Sequence, residues 1–223
     1  MSIEKRLNTV KSKLPEHVTL VAVSKTQPVH VIKEAYDAGQ RIFGENKVQE
    51  MVEKQSQLPD DIEWHMIGHV QRNKVKYMAA FVRLIHGVDS FKLLKEINKE
   101  AEKHDRIINC LLQIKIASED SKFGMHPEEA ITILESQYLS ELKNVSITGV
   151  MGMATFTDDQ HLIDEEFKFL KSIFNNLKHY DFFNCKLDTI SMGMSDDYKL
   201  AIDNGSTMVR IGSSIFGPRN YSH

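Results

Sequence analysis

With 223 residues, 41% apolar and 26% charged, the chain has the balance of a globular protein and the length for one larger domain or two small ones. Its 28 basic and 31 acidic side chains leave a net charge of −3 and a pI near 6.4, with no basic run or stripe, which argues against a nucleic-acid partner. No apolar stretch approaches the ~18–20 residues of a membrane span. The opening MSIEKRLNTVKSKL carries no signal-peptide core, so a cytoplasmic protein is expected.

Ile3, Leu7, Val10 and Leu14 recur at helical spacing and predict a first helix, ended by Pro15. Residues 18–23 (VTLVAV) follow as a β-branched run, apolar on both faces, the pattern of an interior strand in a helix-covered parallel sheet. Lys25 stands at its carboxyl end, and Pro28 opens the helix VHVIKEAYDAG. Parallel α/β sheets keep their chemistry at the carboxyl ends of strands. A lysine there is either an ion-pair partner or an amine whose ordinary pKa of ~10.4 has been lowered enough for Schiff-base chemistry.

Further strands are predicted at 41–43, 62–67, 82–88, 107–116, 145–150, 186–190 and 207–211. Helices are predicted between them at 47–57, 71–80, 90–104, 127–138, 161–179 and 195–204. About eight strand-then-helix units without a composition break point to a single TIM-type (β/α)₈ barrel domain over residues 1–223. An open doubly wound sheet is the alternative. Cys110 and Cys185 fall in or beside predicted strands and read as buried thiols.

Two late strand ends are rich in glycine and serine: Ser191-Met192-Gly193-Met194-Ser195 and Arg210-Ile211-Gly212-Ser213-Ser214. In such barrels a phosphate often binds beyond strands seven and eight, against the amino end of a short extra helix, on backbone N–H groups that nothing else satisfies. Ser195 itself reads as a helix cap, because Asp196 and Asp197 follow it as first-turn acids. Arg210, one position before a strand exit, is either a structural ion pair or a cation aimed at the ring nitrogen of a cofactor such as pyridoxal 5'-phosphate (PLP). A lysine amine, an anion cradle and an arginine at carboxyl strand ends make the set that PLP requires. Other constellations fit bland roles. His65 and His69 lack a third metal ligand and a helix to share. His86 reads as a satisfied core or rim histidine, Met151 and Met153 as core filling, Tyr198 as packing, and Lys122 as a solvated loop residue rather than a second docking amine.

Five stretches carry a resemblance: VAVSKTQP around Lys25, FGENKVQE at 43–50, WHMIGHVQRNK at 64–74, GVMGMA at 149–154 and SMGMSDDYKLAIDNGSTMVRIGSSIFG at 191–217. In order, and over nearly the whole chain, they resemble the pyridoxal phosphate homeostasis proteins, a YggS-like family whose barrel is similar to the amino-terminal domain of alanine racemase. The resemblance implies PLP held on Lys25 as an internal aldimine (a Schiff base), with Arg210 facing the pyridine nitrogen. It implies Ser191, the Met192 amide, Gly212 and Ser213 on the phosphate, and Asn46 and His65 around the ring. It also implies a role in vitamin B6 balance, usually without enzyme activity.

An arginine at the ring nitrogen weakens the cofactor as an electron sink. Racemisation tolerates that but needs a base on the second cofactor face, which in alanine racemase comes from an additional domain. Here the barrel takes up the whole chain. The expectation is therefore a monomeric carrier that holds and buffers PLP and hands it to PLP-dependent apo-enzymes. A slow PLP enzyme such as an amino-acid racemase is the alternative, and a sugar-phosphate barrel enzyme using Lys25 is a third reading.

Overall fold

The computed structural model describes residues 1–119 and 123–218, so Lys122 lies outside the described residues. In chain order the elements are α1 (Ile3–Lys11), β1 (Thr19–Val23), α2 (Val29–Asp37), β2 (Ile42–Glu45), α3 (Val48–Gln55), β3 (Glu63–Met66), a 3₁₀ helix (Arg72–Tyr77) and β4 (Leu84–Val88). There follow α4 (Phe91–Glu102), β5 (Ile108–Gln113), α5 (Pro127–Glu135), a second 3₁₀ helix (Gln137–Glu141), β6 (Val145–Met151), α6 (Gln160–Leu177), β7 (Cys185–Ser191), α7 (Tyr198–Asp203), β8 (Met208–Ile211) and α8 (Ser213–Phe216). Every neighbouring pair of strands is parallel and β8 pairs with β1, so the sheet closes on itself and the open-sheet alternative is ruled out.

Strand alternation sorts the apolar residues into two layers. Val21, Ile67, Leu84, Leu111, Met151 and Met208 fill the barrel interior, joined by Val23, Ile42 and Met153. Their neighbours Leu20, Ala22, Phe43, Trp64, Met66, Ile85, Leu112, Val150 and Val209 face outward into the larger cluster under the helices. Ser2 and Ser90 cap α1 and α4 by accepting the amides of Lys5 and Leu93.

Two helix expectations are corrected. Residues 71–80 form only the short 3₁₀ helix, in which Val75 is the buried side chain, while Met78 and Ala79 are buried in the turn just beyond it. The span 127–138 breaks at Ser136, whose extended backbone ends α5 and whose hydroxyl caps the second 3₁₀ helix. Cys110 and Cys185 are free buried thiols. Among the described residues no helix is long and apolar enough to cross a membrane.

One glycine sets how closely two strands approach. A Cβ on Gly149 would lie 1.8 Å from the Thr189 carbonyl oxygen, its partner across the β6–β7 pair. Gly149→Ala must part those strands. It is expected to cost about 3 kcal/mol or more and to lower Tm by roughly 6–12 °C in thermal unfolding.

Candidate functional site

The period-two alternation that turns Val21 and Val23 inward brings Lys25 to the carboxyl mouth of the barrel. There it lines a pocket of about 470 Å³ together with Val23, Asn46, Ile67, Gly68, Gln113 and Met153 from the exits of β1, β2, β3, β5 and β6, and Met194, Ser195, Asp196, Arg210, Gly212 and Ser213 from the last two. Lys25 and Asn46 are half-buried. The main chain turns sharply after Lys25: the Gln27 amide donates to the Ser24 carbonyl, and Thr26 takes a left-handed φ of +64°.

The anion-binding side is built by a reversal at Gly193, whose φ of +96° favours glycine. Beyond it the chain lifts away from β7, and Ser195 stands in the pocket, its Oγ accepting the Gly212 amide at 3.2 Å. Immediately after Gly212, α8 starts, and the first amides of a helix have no acceptor within it. Ser195, Gly212 and Ser213 thus present hydroxyls and backbone at one corner of the pocket. Asp197 is turned back, its Oδ1 accepting the Met194 amide at 2.5 Å, while Asp196 is exposed at the pocket edge. Burial raises the Asp197 carboxyl above the usual range.

This geometry corrects three expectations. Ser195 does not cap the following helix, which begins at Tyr198 with Asp197 at its N-cap; the hydroxyl is spent on the Gly212 amide instead. Ser191 is fully buried in β7, and the Met192 amide already donates to the Met208 carbonyl, so neither sits in the pocket with an N–H or O–H to offer an anion. His65 is 3% exposed and lies inside the barrel, not along the pocket wall.

What His65 and Ser191 build is the floor. Arg210 points into the barrel, donating from Nη1 to the Ser191 carbonyl (2.8 Å) and Oγ (2.6 Å) and from Nη2 to the Gly152 carbonyl (3.0 Å). Ser191 Oγ lies 3.0 Å from His86 Nδ1, and His86 Nε2 lies 3.1 Å from His65 Nδ1. A guanidinium only donates, so Ser191 accepts from Arg210 and has a hydrogen to offer His86 Nδ1. With that hydrogen given, His86 carries its own proton on Nε2 and donates it to His65 Nδ1. Burial holds both imidazoles neutral, His65 down at about 3 and His86 well below its ordinary value. Burial also lowers Arg210, to about 10, which leaves it cationic at neutral pH. Three of its five N–H groups are engaged here, leaving donors for a ligand above.

At the rim, His69 stacks on Phe123 with ring centroids 4.4 Å apart and pairs with Asp89 at 3.1 Å. His65 and His69 therefore diverge, one inside the barrel and one at its edge. Among the described residues no three His, Cys, Asp or Glu side chains gather as metal ligands. Met151 packs the interior as expected, whereas Met153 reaches the pocket wall. Sequence reasoning passed over Gln113 and gave His86 no partner; inward phase on β5 and β4 was the available signal.

A closed parallel barrel with a lysine, an arginine and a serine–glycine corner at its carboxyl mouth defines a ligand-binding α/β barrel. The alanine racemase N-terminal domain family matches residues 1–220. The pyridoxal phosphate homeostasis protein of Pasteurella multocida (strain Pm70) is 41% identical over 218 residues, covering 95% of this chain and 91% of its own. Among solved structures, PipY of Synechococcus elongatus PCC7942 with PLP bound superposes with a TM-score of 0.88 at 35% identity, over 97% of this chain and 100% of that one. The alanine racemase of Clostridium difficile 630, at 16% identity and a TM-score of 0.78, shares the fold over 99% of this chain and 58% of its own. The chain belongs to the pyridoxal phosphate homeostasis protein family, within the alanine racemase N-terminal domain family.

Proposed function

We propose that this chain binds pyridoxal 5'-phosphate at the barrel mouth, with Lys25 Nζ as the covalent anchor, and serves intracellular vitamin B6 balance by holding the cofactor and releasing it to PLP-dependent apo-enzymes. The observation that carries this reading is one pocket lined at once by Lys25, Arg210 and the Ser195–Gly212–Ser213 corner. The donor set fits the group. The Ser195 and Ser213 hydroxyls and the first amides of α8 suit a phosphate, with Asp196 at the exposed edge of the same pocket. Gly212 leaves open the space that a Cβ would take, 3.3 Å from Val23 Cβ. When bound, PLP supplies an electrophilic carbonyl carbon and an electron-withdrawing ring.

The residues then divide the work. The Ser195 and Ser213 hydroxyls and the α8 amides beyond Gly212, whose own amide is given to Ser195 Oγ, hold the phosphate, each charge-assisted bond contributing about 1.5–3 kcal/mol. Arg210, fixed from below by Ser191 and Gly152, offers a donor to the ring nitrogen and keeps it unprotonated. Asn46 and Met153 flank the ring. Relatives carry a homeostasis name rather than an enzyme name, which supports a carrier over a racemase.

The test is a purified preparation incubated with PLP, reduced with borohydride and digested. A yellow protein whose colour bleaches, with one phosphopyridoxyl mass on the Lys25 peptide, supports the reading. A colourless protein without the adduct rejects it. Arg210→Gln is expected to shift the visible absorbance band while lowering PLP affinity by less than roughly tenfold, measured by spectral titration.

A further inference from the structure

Both peptide groups that flank the Lys25 Cα are held by a single ion pair on α3. Lys54 Nζ donates to the Ser24 carbonyl at 2.8 Å, and Glu50 Oε1 accepts the Thr26 amide at 2.6 Å. Lys54 and Glu50 in turn bond each other at 2.7 Å, one helical turn apart. A third group closes the cluster: Glu45 Oε1 accepts from Lys54 at 2.8 Å and from Ser24 Oγ at 2.5 Å. Glu45 and Lys54 are buried, with side chains 0% and 6% exposed. Glu45 Oε2 has no partner, and its carboxyl is raised above the usual range, chiefly by burial.

Such an arrangement is costly unless it fixes something. A buried ion pair adds little net stability, because desolvating its charges offsets their attraction. Thr26 sits in the left-handed region, which costs a non-glycine residue about 1 kcal/mol or more. The carbonyl before Lys25 and the amide after it are the two handles that set its φ and ψ, and both end on this cluster. None of these three side chains lines the Lys25 pocket, and the bonds described reach Lys25 through its flanking peptide groups.

We propose that Glu50 and Lys54, braced by Glu45, are positioning residues: a buried latch that holds the Lys25–Thr26 turn so that the Lys25 amine stays aimed into the cofactor pocket. The inference rests on the PLP reading for its consequence, though not for its geometry.

Glu50 is partly exposed, so Glu50→Ala should fold, and Glu50→Gln keeps an acceptor for the Thr26 amide. In Glu50→Ala, borohydride trapping of PLP on Lys25 is expected to slow roughly tenfold, with Thr26 amide protection against hydrogen exchange falling by a similar factor. Glu50→Gln should remain within about threefold of the unsubstituted protein in both. Lys54→Met should move both readouts as Glu50→Ala does. Trapping at the unsubstituted rate in Glu50→Ala overturns the latch, as does equal slowing in the alanine and glutamine variants. Should the unsubstituted protein itself trap no PLP, the cofactor assignment fails, and the latch is decided by Thr26 amide exchange alone: unchanged protection in Glu50→Ala sinks it.

Discussion

Lys25→Ala is expected to eliminate the borohydride-fixed adduct completely while leaving a folded barrel. The amine is the group that the covalent reading depends on, and Lys25 is the lysine lining the pocket among the described residues. Its backbone is held independently of its side chain, by Lys54 at the Ser24 carbonyl and Glu50 at the Thr26 amide. The turn should therefore survive truncation, with Tm within about 3 °C. The Ser195–Gly212–Ser213 corner also survives, so PLP should still bind weakly and reversibly. Mass spectrometry after reduction reads the first effect and equilibrium dialysis the second. An adduct of undiminished yield elsewhere in the alanine variant would remove Lys25 from the proposal.

Gly212→Val addresses the other end of the ligand. The backbone there, with φ of −118°, lies outside the left-handed region that favours glycine. A Cβ would meet the Val23 carbonyl oxygen at 3.2 Å and Val23 Cβ at 3.3 Å, a contact relieved by a shift of a few tenths of an ångström. The added methyl groups fill the corner beside Ser195 and push a phosphate off the α8 amides. Loss of one charge-assisted bond at about 1.5–3 kcal/mol predicts PLP binding weaker by roughly 10- to 150-fold. Competition by inorganic phosphate should weaken in parallel. Arg210→Gln should change colour more than affinity, and Gly212→Val the reverse; equal effects would mean that ring and phosphate ends have been exchanged.

Strand phase explains what the sequence could reveal. β1, with its two apolar faces, announced an interior strand with Lys25 at its carboxyl end; the observed inward set of Val21 and Val23 then puts Lys25 in the inward phase, as Met208 does for Arg210 on β8. The strand order followed from eight repeated units. Ser191 and Ser195 were confused for a physical reason. They sit four apart in one motif, and only the left-handed Gly193 between them decides that one stays in the strand and the other rises into the pocket. Partners from distant strands were equally hidden: the bond from Ser191 to His86 joins residues 105 apart in sequence. The Lys54 latch left one faint trace. It falls in step with Val48 and Met51 on the buried stripe of α3, where a lysine needs a partner.

The neutral histidines under Arg210 have an implication for living cells. Neither imidazole gains a proton near neutral pH, since burial lowers His65 to about 3 and holds His86 well below its ordinary value. The imidazole side of the guanidinium's surroundings therefore stays neutral on mild acidification, whereas Asp197, the carboxylate acting on the guanidinium, does not share that constancy. A response of the scaffold to acidification therefore falls to carboxyls such as Asp197 and Glu45, which burial raises above the usual range, and not to the imidazoles under Arg210.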